Sequence, residues 1–409
     1  MKSPLVQSVC KVRYTIPASK LGLGQRGYLN VDMKATCEGY LHPCSENQAR
    51  RQTFDQFFVE GDFNYAGGNP NGPVSQLSKK EVGIGIVGLG FVGEKAHVSS
   101  FRSIPGAKLV AVADMDIARA KRVAEKARIE AVYSKHEDLI ADPNVQAVVI
   151  SVPTFLHAQF AKDAIRAGKH VLCEMPVSPT MAETKEVVEE AKRAGVVFMP
   201  SLNFRFTPNF VKAKSLIEKG MIGKPVAAFY REFIPAGVLA EQWPAKSWAW
   251  DDKKTGGGPG FTLSVWSIDL LRWLFGAEIV DVHSAWNEPV LPAYGGTKGY
   301  CSLSVLKFSN GVVATLQFSG LVRSALGMSK LEILGDNTSS LTATNNDDLV
   351  FYGEDPTEQH WTLREPGSRV WGHYQEDQHF VDCILNKKQP IMSGEDALKA
   401  QEVATKIRM

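Results

Sequence analysis

Apolar residues recur along this chain in two successive patterns. From residue 82 to about 200, short continuous apolar runs alternate with stretches of helical period. Val82-Gly-Ile-Gly-Ile-Val87 reads as a buried strand and is followed by a helix pattern from Phe91 to Phe101. Lys108 to Ala113 reads as the next strand, and Ile117 to Arg128 as a helix rich in Ala, Arg, Lys and Glu. Ala147-Val-Val-Ile150 and His170-Val-Leu-Cys173 continue the series, each flanked by a helix pattern. Apolar strands alternating with helices predict a parallel sheet covered on both faces. Beyond residue 205, strand-like stretches follow one another at 226–234, 279–287, 300–308, 312–320 and 328–334, and Ser309-Asn-Gly311 reads as a tight hairpin turn. Helices are expected at 208–219, 264–275, 373–386 and 394–407. This second pattern is that of an α+β domain on an open, mostly antiparallel sheet.

The first 80 residues fit neither pattern. Tyr28 to Cys37 alternates apolar Leu29, Val31, Met33 and Ala35 with mostly polar neighbours, as a half-buried strand does. Gly67-Gly-Asn-Pro-Asn-Gly-Pro73 is a run of turn formers and reads as a linker. The expected division is therefore an N-terminal extension (1–80), an α/β domain (81–202) and an α+β domain (203–409). The extension has too little apolar sequence for a large core of its own, so it is expected to pack on the rest of the chain or on a second subunit.

Composition narrows the class. The chain has 409 residues, with 46 basic and 44 acidic side chains and a net charge of +2, which argues against a nucleic-acid partner. It is 44% hydrophobic and 22% charged, as folded globular chains are. No apolar run approaches the roughly 18 residues of a membrane span. The six cysteines form no C-x-x-C, so neither a metal site nor a disulfide scaffold is expected, and the default is a cytoplasmic protein. All eight tryptophans lie after residue 240, so the second half of the chain is built differently from the first.

Gly88-Leu89-Gly90-Phe91-Val92-Gly93 is a G-x-G-x-x-G placed directly after a strand and opening a helix. The first glycine makes the tight turn, the second lets backbone approach a pyrophosphate, and the third allows close helix–strand packing. The helix N-terminus then faces the anion. Asp114 ends the second strand about 20 residues further on, where a carboxylate accepts from ribose hydroxyls and repels a 2′-phosphate. NAD is expected over NADP, and Arg119 nearby keeps NADP open. Ser151-Val-Pro153-Thr154-Phe-Leu-His157 lies at the carboxyl end of the fourth strand, where ligands sit in such sheets.

These residues together resemble the glucose–fructose oxidoreductase/inositol dehydrogenase (Gfo/Idh/MocA) family. The resemblance runs from about 82 to 405, and rests on GLGFVG, Asp114, Pro153-Thr-Phe-Leu-His157, Ala167-Gly-Lys-His-Val-Leu-Cys-Glu-Met-Pro176, Arg205-Phe-Thr-Pro208, Ile222-Gly-Lys-Pro225 and Gly256-Gly-Gly258. It implies a Rossmann domain and an open-faced sheet that carries the substrate site and a homodimer or homotetramer interface. The implied chemistry is hydride exchange between a nicotinamide and a small sugar or cyclitol. It adds Ser151, His157, Glu174 and Met175 to the cofactor set. Met175, Asn203, Arg205, Tyr230, Thr262, Trp266 and Asp269 are the implied substrate pocket.

The chain departs from the family at the reacting centre. Where the family has Glu-Lys-Pro, it reads Glu174-Met175-Pro176, and a thioether cannot assist proton transfer. Where the family has Asp-x-x-x-His-x-x-Asp, it reads Thr262, Trp266 and Asp269. Three readings stay open. An altered enzyme reduces or oxidises a flat or aromatic ligand against Met175 and Trp266, with Trp243, Trp248, Trp250, Phe204, Phe206 and Tyr230 adding to the wall. A sugar or cyclitol dehydrogenase has relocated its acid/base, with Tyr230 the catalytic candidate and Lys253, Lys254, His97 and His157 the other available types. A non-catalytic sensor has kept only the dinucleotide site.

Overall fold

The computed structural model describes the backbone at 8–17 and 28–37 and the chain at 81–235, 241–287, 301–322, 329–353, 358–363 and 371–408. It divides into two units, 1–73 and 74–409. In the first, β1 (Ser8–Pro17) pairs antiparallel with β2 (Tyr28–Cys37), and Val12 stands opposite Met33. The strand expected at 28–37 is present, and the sequence reading missed its partner. The linker at 67–73 and the packing of the extension lie outside the described residues.

In the second unit, six strands form a parallel sheet in the order β5-β4-β3-β6-β7-β8. They are β3 (Val82–Val87), β4 (Ala107–Ala113), β5 (Ala131–Tyr133), β6 (Ala147–Ile150), β7 (His170–Cys173) and β8 (Phe198–Pro200). β3 and β6 are buried at every position, which is why they read as unbroken apolar runs. β5 and β8 were not foreseen, because three residues are too few to show a period. Chain order reverses between β3 and β6, so the loops after these strands flank a crevice at the carboxyl edge.

The second sheet has eight strands in the order β10-β11-β12-β9-β13-β14-β15-β16. β9 (Pro225–Pro235) and β12 (Val313–Val322) pair in parallel, and the other neighbours pair antiparallel. β10 (Ile279–Trp286), β11 (Cys301–Phe308) and β13 (Ser329–Gly335) were expected. The short strands β14 (Ser340–Thr344), β15 (Asp348–Tyr352) and β16 (Gln359–Thr362) were not. The period of two gives the sheet an inner face, to which β9 contributes Ala228, Tyr230, Glu232 and Ile234. A helix at Gly258–Phe275, buried almost all round, packs on this face. The outer face is apolar and open: Leu303 is 63% exposed and Val280 58%, with Phe229, Val305 and Val313 beside them. No helix among the described residues is long and apolar enough to cross a membrane.

Candidate active site

A cavity of about 970 Å³ opens at the carboxyl edge of the parallel sheet and reaches the inner face of the second sheet. Of the residues expected at the cofactor, Gly88, Leu89, Gly90, Phe91, Val92, Asp114, Arg119, Ser151, Pro153, Thr154, His157, Glu174 and Met175 all line it. Gly93 does not: a Cβ there would stand 2.1 Å from the carbonyl oxygen of Gly88, so this glycine lets the turn close on the helix. Gly88 has φ +90°, and a Cβ on it would meet the Ser151 carbonyl oxygen at 2.3 Å. At Gly90 a Cβ would meet nothing within 4 Å, so bare backbone faces open space in front of the helix at 91–101. That is the shape a pyrophosphate needs, and the site fits a dinucleotide.

Asp114 is 7% exposed and fixes this turn. It accepts from the Leu89 and Asp116 backbone N–H groups, both at 2.8 Å, and from Arg119 at 3.3 Å. Its carboxylate is oriented by donors that are present before any ribose arrives. The Arg119 guanidinium is 39% exposed and near enough to meet a 2′-phosphate.

His157 lies under the cofactor loop. Its ring nitrogens face the carbonyl oxygens of Pro176 at 2.8 Å and Val152 at 2.7 Å. Burial lowers its pKa, opposed by these two acceptors, and the ring ties two loops together. Glu174 is also structural. Its Oε1 accepts from His97 Nε2 at 2.9 Å and from the Ser201 hydroxyl at 2.9 Å, with His373 Nε2 at 3.7 Å. Burial alone would raise its pKa, but the bonds from His373 and His97 outweigh burial and hold it far below the usual carboxylate range. His97 faces Asp377 at 3.0 Å on its other nitrogen. Burial opposes its charge, yet Asp377 and Glu174 raise its pKa well above the ordinary value.

His97, Glu174 and His373 bring one ligand-type atom each within 4.8 Å of one another. Proton positions argue against a metal centre. Both His97 nitrogens face carboxylates and so carry protons. Asn203 Nδ2 donates to the Trp371 carbonyl at 2.6 Å and points at His373 Nδ1 at 3.4 Å, which leaves the His373 proton on Nε2. No ring nitrogen offers Glu174 a lone pair, so the cluster is a hydrogen-bonded ion network.

The implied substrate residues divide. Met175, Asn203, Thr262 and Trp266 line the cavity, whereas Arg205, Tyr230 and Asp269 do not. Arg205 and Asp269 are a buried ion pair: Arg205 Nε donates to Asp269 Oδ2 at 2.7 Å, and Asp396 and Arg272 complete the cluster. They bind the helix at Gly258–Phe275 to the C-terminal helix Gly394–Arg408 and are corrected here from pocket to scaffold. Trp266 donates Nε1–H to the Ser201 carbonyl at 2.8 Å, so it both lines and braces the pocket. The Tyr230 phenol is fully buried off the cavity, and burial pushes its pKa well up. It is corrected from catalytic candidate to core residue. His97 is likewise off the cavity, and Lys253 and Lys254 are exposed. Of the expected aromatic wall, Trp243, Trp248 and Phe204 line the cavity, and Trp250 and Phe206 do not.

Glu232 was not foreseen. It shares the inner face of β9 with Tyr230, two residues along, and it lines the cavity at 5% exposure. The Ser267 hydroxyl donates to its Oε2. Burial pushes its pKa up to about 7, against the hydrogen bonds from Ser267 and Tyr230. A carboxyl group poised near neutrality in a cleft is a candidate proton donor and acceptor. The signal in the sequence was an acid at an inward, otherwise apolar strand position, readable only once the register was known.

Residues 82–202 match the oxidoreductase family with an NAD-binding Rossmann fold, and 214–408 match that family's C-terminal alpha/beta domain. The myo-inositol 2-dehydrogenase of Thermotoga maritima is 28% identical over 327 residues, covering 78% of this chain and 92% of that protein. The scyllo-inositol 2-dehydrogenase (NAD+) of Bacillus subtilis is 29% identical over 334 residues, covering 79% and 92%. The structure of a myo-inositol 2-dehydrogenase from Lactobacillus plantarum superposes with a TM-score of 0.68 at 26% identity, over 80% of this chain and 96% of that one.

Proposed function

The chain belongs to the Gfo/Idh/MocA oxidoreductase family with an NAD-binding Rossmann fold, and on that premise we propose that it interconverts a ring hydroxyl and a ketone on a sugar or cyclitol, with Glu232 as acid/base. The observation that carries this is Glu232 itself, buried on the cavity with its pKa pushed up to about 7, where the side chains of Met175, Thr262 and Trp266 carry no group that titrates near neutral pH. When bound, NAD+ would supply the hydride acceptor for conversion of the alcohol to the ketone. Glu232 takes the hydroxyl proton in that direction and returns it in the other. Ser267 donates to Oε2, and the residue lines the cavity in which the substrate would sit. Two inositol dehydrogenases among the relatives support the substrate class. A sensor without chemistry has no use for a proton acceptor tuned to neutral pH, so the relocated acid/base is preferred over the sensor. We also infer a homodimer or homotetramer through the apolar outer face of the second sheet, and a cytoplasmic location in keeping with the free thiols Cys173, Cys301 and Cys383.

The test is a pH profile of NAD+ reduction against a panel of hexoses, pentoses and cyclitols. The oxidation rate should rise through about pH 7 as Glu232 loses its proton. Glu232→Gln should lose roughly 100-fold or more in kcat and abolish that limb. A Glu232→Gln enzyme of normal rate and profile would remove the proposal.

A further inference from the structure

We propose that the substrate is a hydroxylated ring carrying a flat apolar substituent, with the ring at Glu232 and Thr262 and the substituent against Trp248. This rests on the reading of Glu232 above and names the substrate class for that site.

Part of the chamber lining is polar and incomplete. The Thr262 hydroxyl is buried, lines the cavity and has no hydrogen-bond partner. Leaving such a group unpaired is costly, and a ligand hydroxyl removes the cost because both groups donate and accept. The residue suits an alcohol rather than a carboxylate or phosphate, since it brings no charge and lines the same cavity as the acid Glu232. Glu232 supplies the second polar contact for the same ring.

Another part of the lining is apolar among the described residues. Ile234, Trp243, Pro244, Trp248 and Leu263 form it. Glu241, exposed, and Gln242, half-buried, add polar groups to the lining. Ile234, Trp243 and Leu263 belong to a small apolar cluster distinct from the main core, with Trp248 and Trp266 packed against it. Trp248 is only half-buried, and edge contacts to Trp243 at 6.1 Å and Phe155 at 6.4 Å hold it in place. A polyol with hydroxyls on every side would bury some of them unpaired against these rings. A ring with its hydroxyls at one end and an apolar group at the other satisfies both walls, and a flat group suits indole faces.

The experiment compares kcat/KM, followed as NADH at 340 nm, for free hexoses, pentoses and cyclitols, their methyl glycosides or ethers, and their phenyl counterparts. The quantity read is the ratio of phenyl to free ring within one protein preparation, which is independent of the fraction folded. Wild type should favour the phenyl member roughly 10- to 100-fold, the range expected for burying an aromatic group. Trp248→Ala should bring that ratio to near one. Thr262→Val should lower kcat/KM for both members together and keep the ratio. A preference for phenyl and methyl members alike would assign the end wall to any aglycone and overturn the requirement for a flat one. Equal or better use of free rings overturns the substrate class and leaves Glu232 as acid/base. No turnover of any ring by a protein that binds NADH overturns both.

Discussion

Removing the charge of Glu232 should make the protein more stable as it removes activity. Glu232 holds its proton to about pH 7 in the folded chain, against an ordinary value near 4.5. The sign follows from proton counting. Below about pH 4.5 both folded and unfolded forms carry the proton, and the residue costs nothing. As pH rises toward 7, the unfolded chain gives up its proton while the folded one keeps it, so stability falls. Above about 7 the loss is complete. The gap of roughly 2.5 in pKa, at about 1.4 kcal/mol per tenfold, corresponds to about 3 kcal/mol. Glu232 is fully buried, so solvent does not discount this figure. Gln keeps the shape and cannot ionise. The measurement is urea unfolding of wild type and Glu232→Gln at half-unit steps from pH 4.5 to 8.5. The free-energy difference between them should grow by about 3 kcal/mol in favour of the variant across that range. A difference that stays flat, or that grows in favour of wild type, would refute the assignment of a raised pKa to this carboxyl.

Four further outcomes are expected. Gly90→Ala should fold normally and bind NADH at least tenfold more weakly by nicotinamide fluorescence, because a Cβ there meets no protein atom and fills the space for pyrophosphate. Gly93→Ala should instead destabilise the fold by roughly 2–3 kcal/mol in thermal melts, because its Cβ strikes the Gly88 carbonyl. Asp114→Ala should cost NAD affinity and narrow the NAD-to-NADP ratio about tenfold or more, read by parallel titrations; equal losses for both nucleotides would show that the carboxylate only braces the turn. Leu303→Lys combined with Val305→Lys should lower the mass found by light scattering, and an unchanged mass would clear the outer sheet face of an assembly role.

Much of the cofactor end was legible in the sequence because its requirements are local. A tight turn, an exposed backbone and an acid after the next strand each need a residue type at a fixed spacing, and Gly88, Gly90 and Asp114 stand there. The substrate end was less legible because its residues come from separate elements. Arg205 and Asp269 read as pocket residues, yet they find each other under the floor as a buried ion pair. Tyr230 and Glu232 differ by two positions on one strand, and of the two only Glu232 lines the cavity. His373 and Trp371 reach the cavity from the far end of the chain with no local motif.

The sequence alone determined the alternation of buried strands and helices and the change to a mostly antiparallel sheet after residue 205. Periodicity and residue chemistry are properties of the chain, so these could be read directly. Only the tertiary structure brought a buried carboxyl, that of Glu232, to the cavity. A pKa is set by desolvation and neighbours, and the burial of Glu232 beside Ser267 exists only once β9 packs against the helix at Gly258–Phe275.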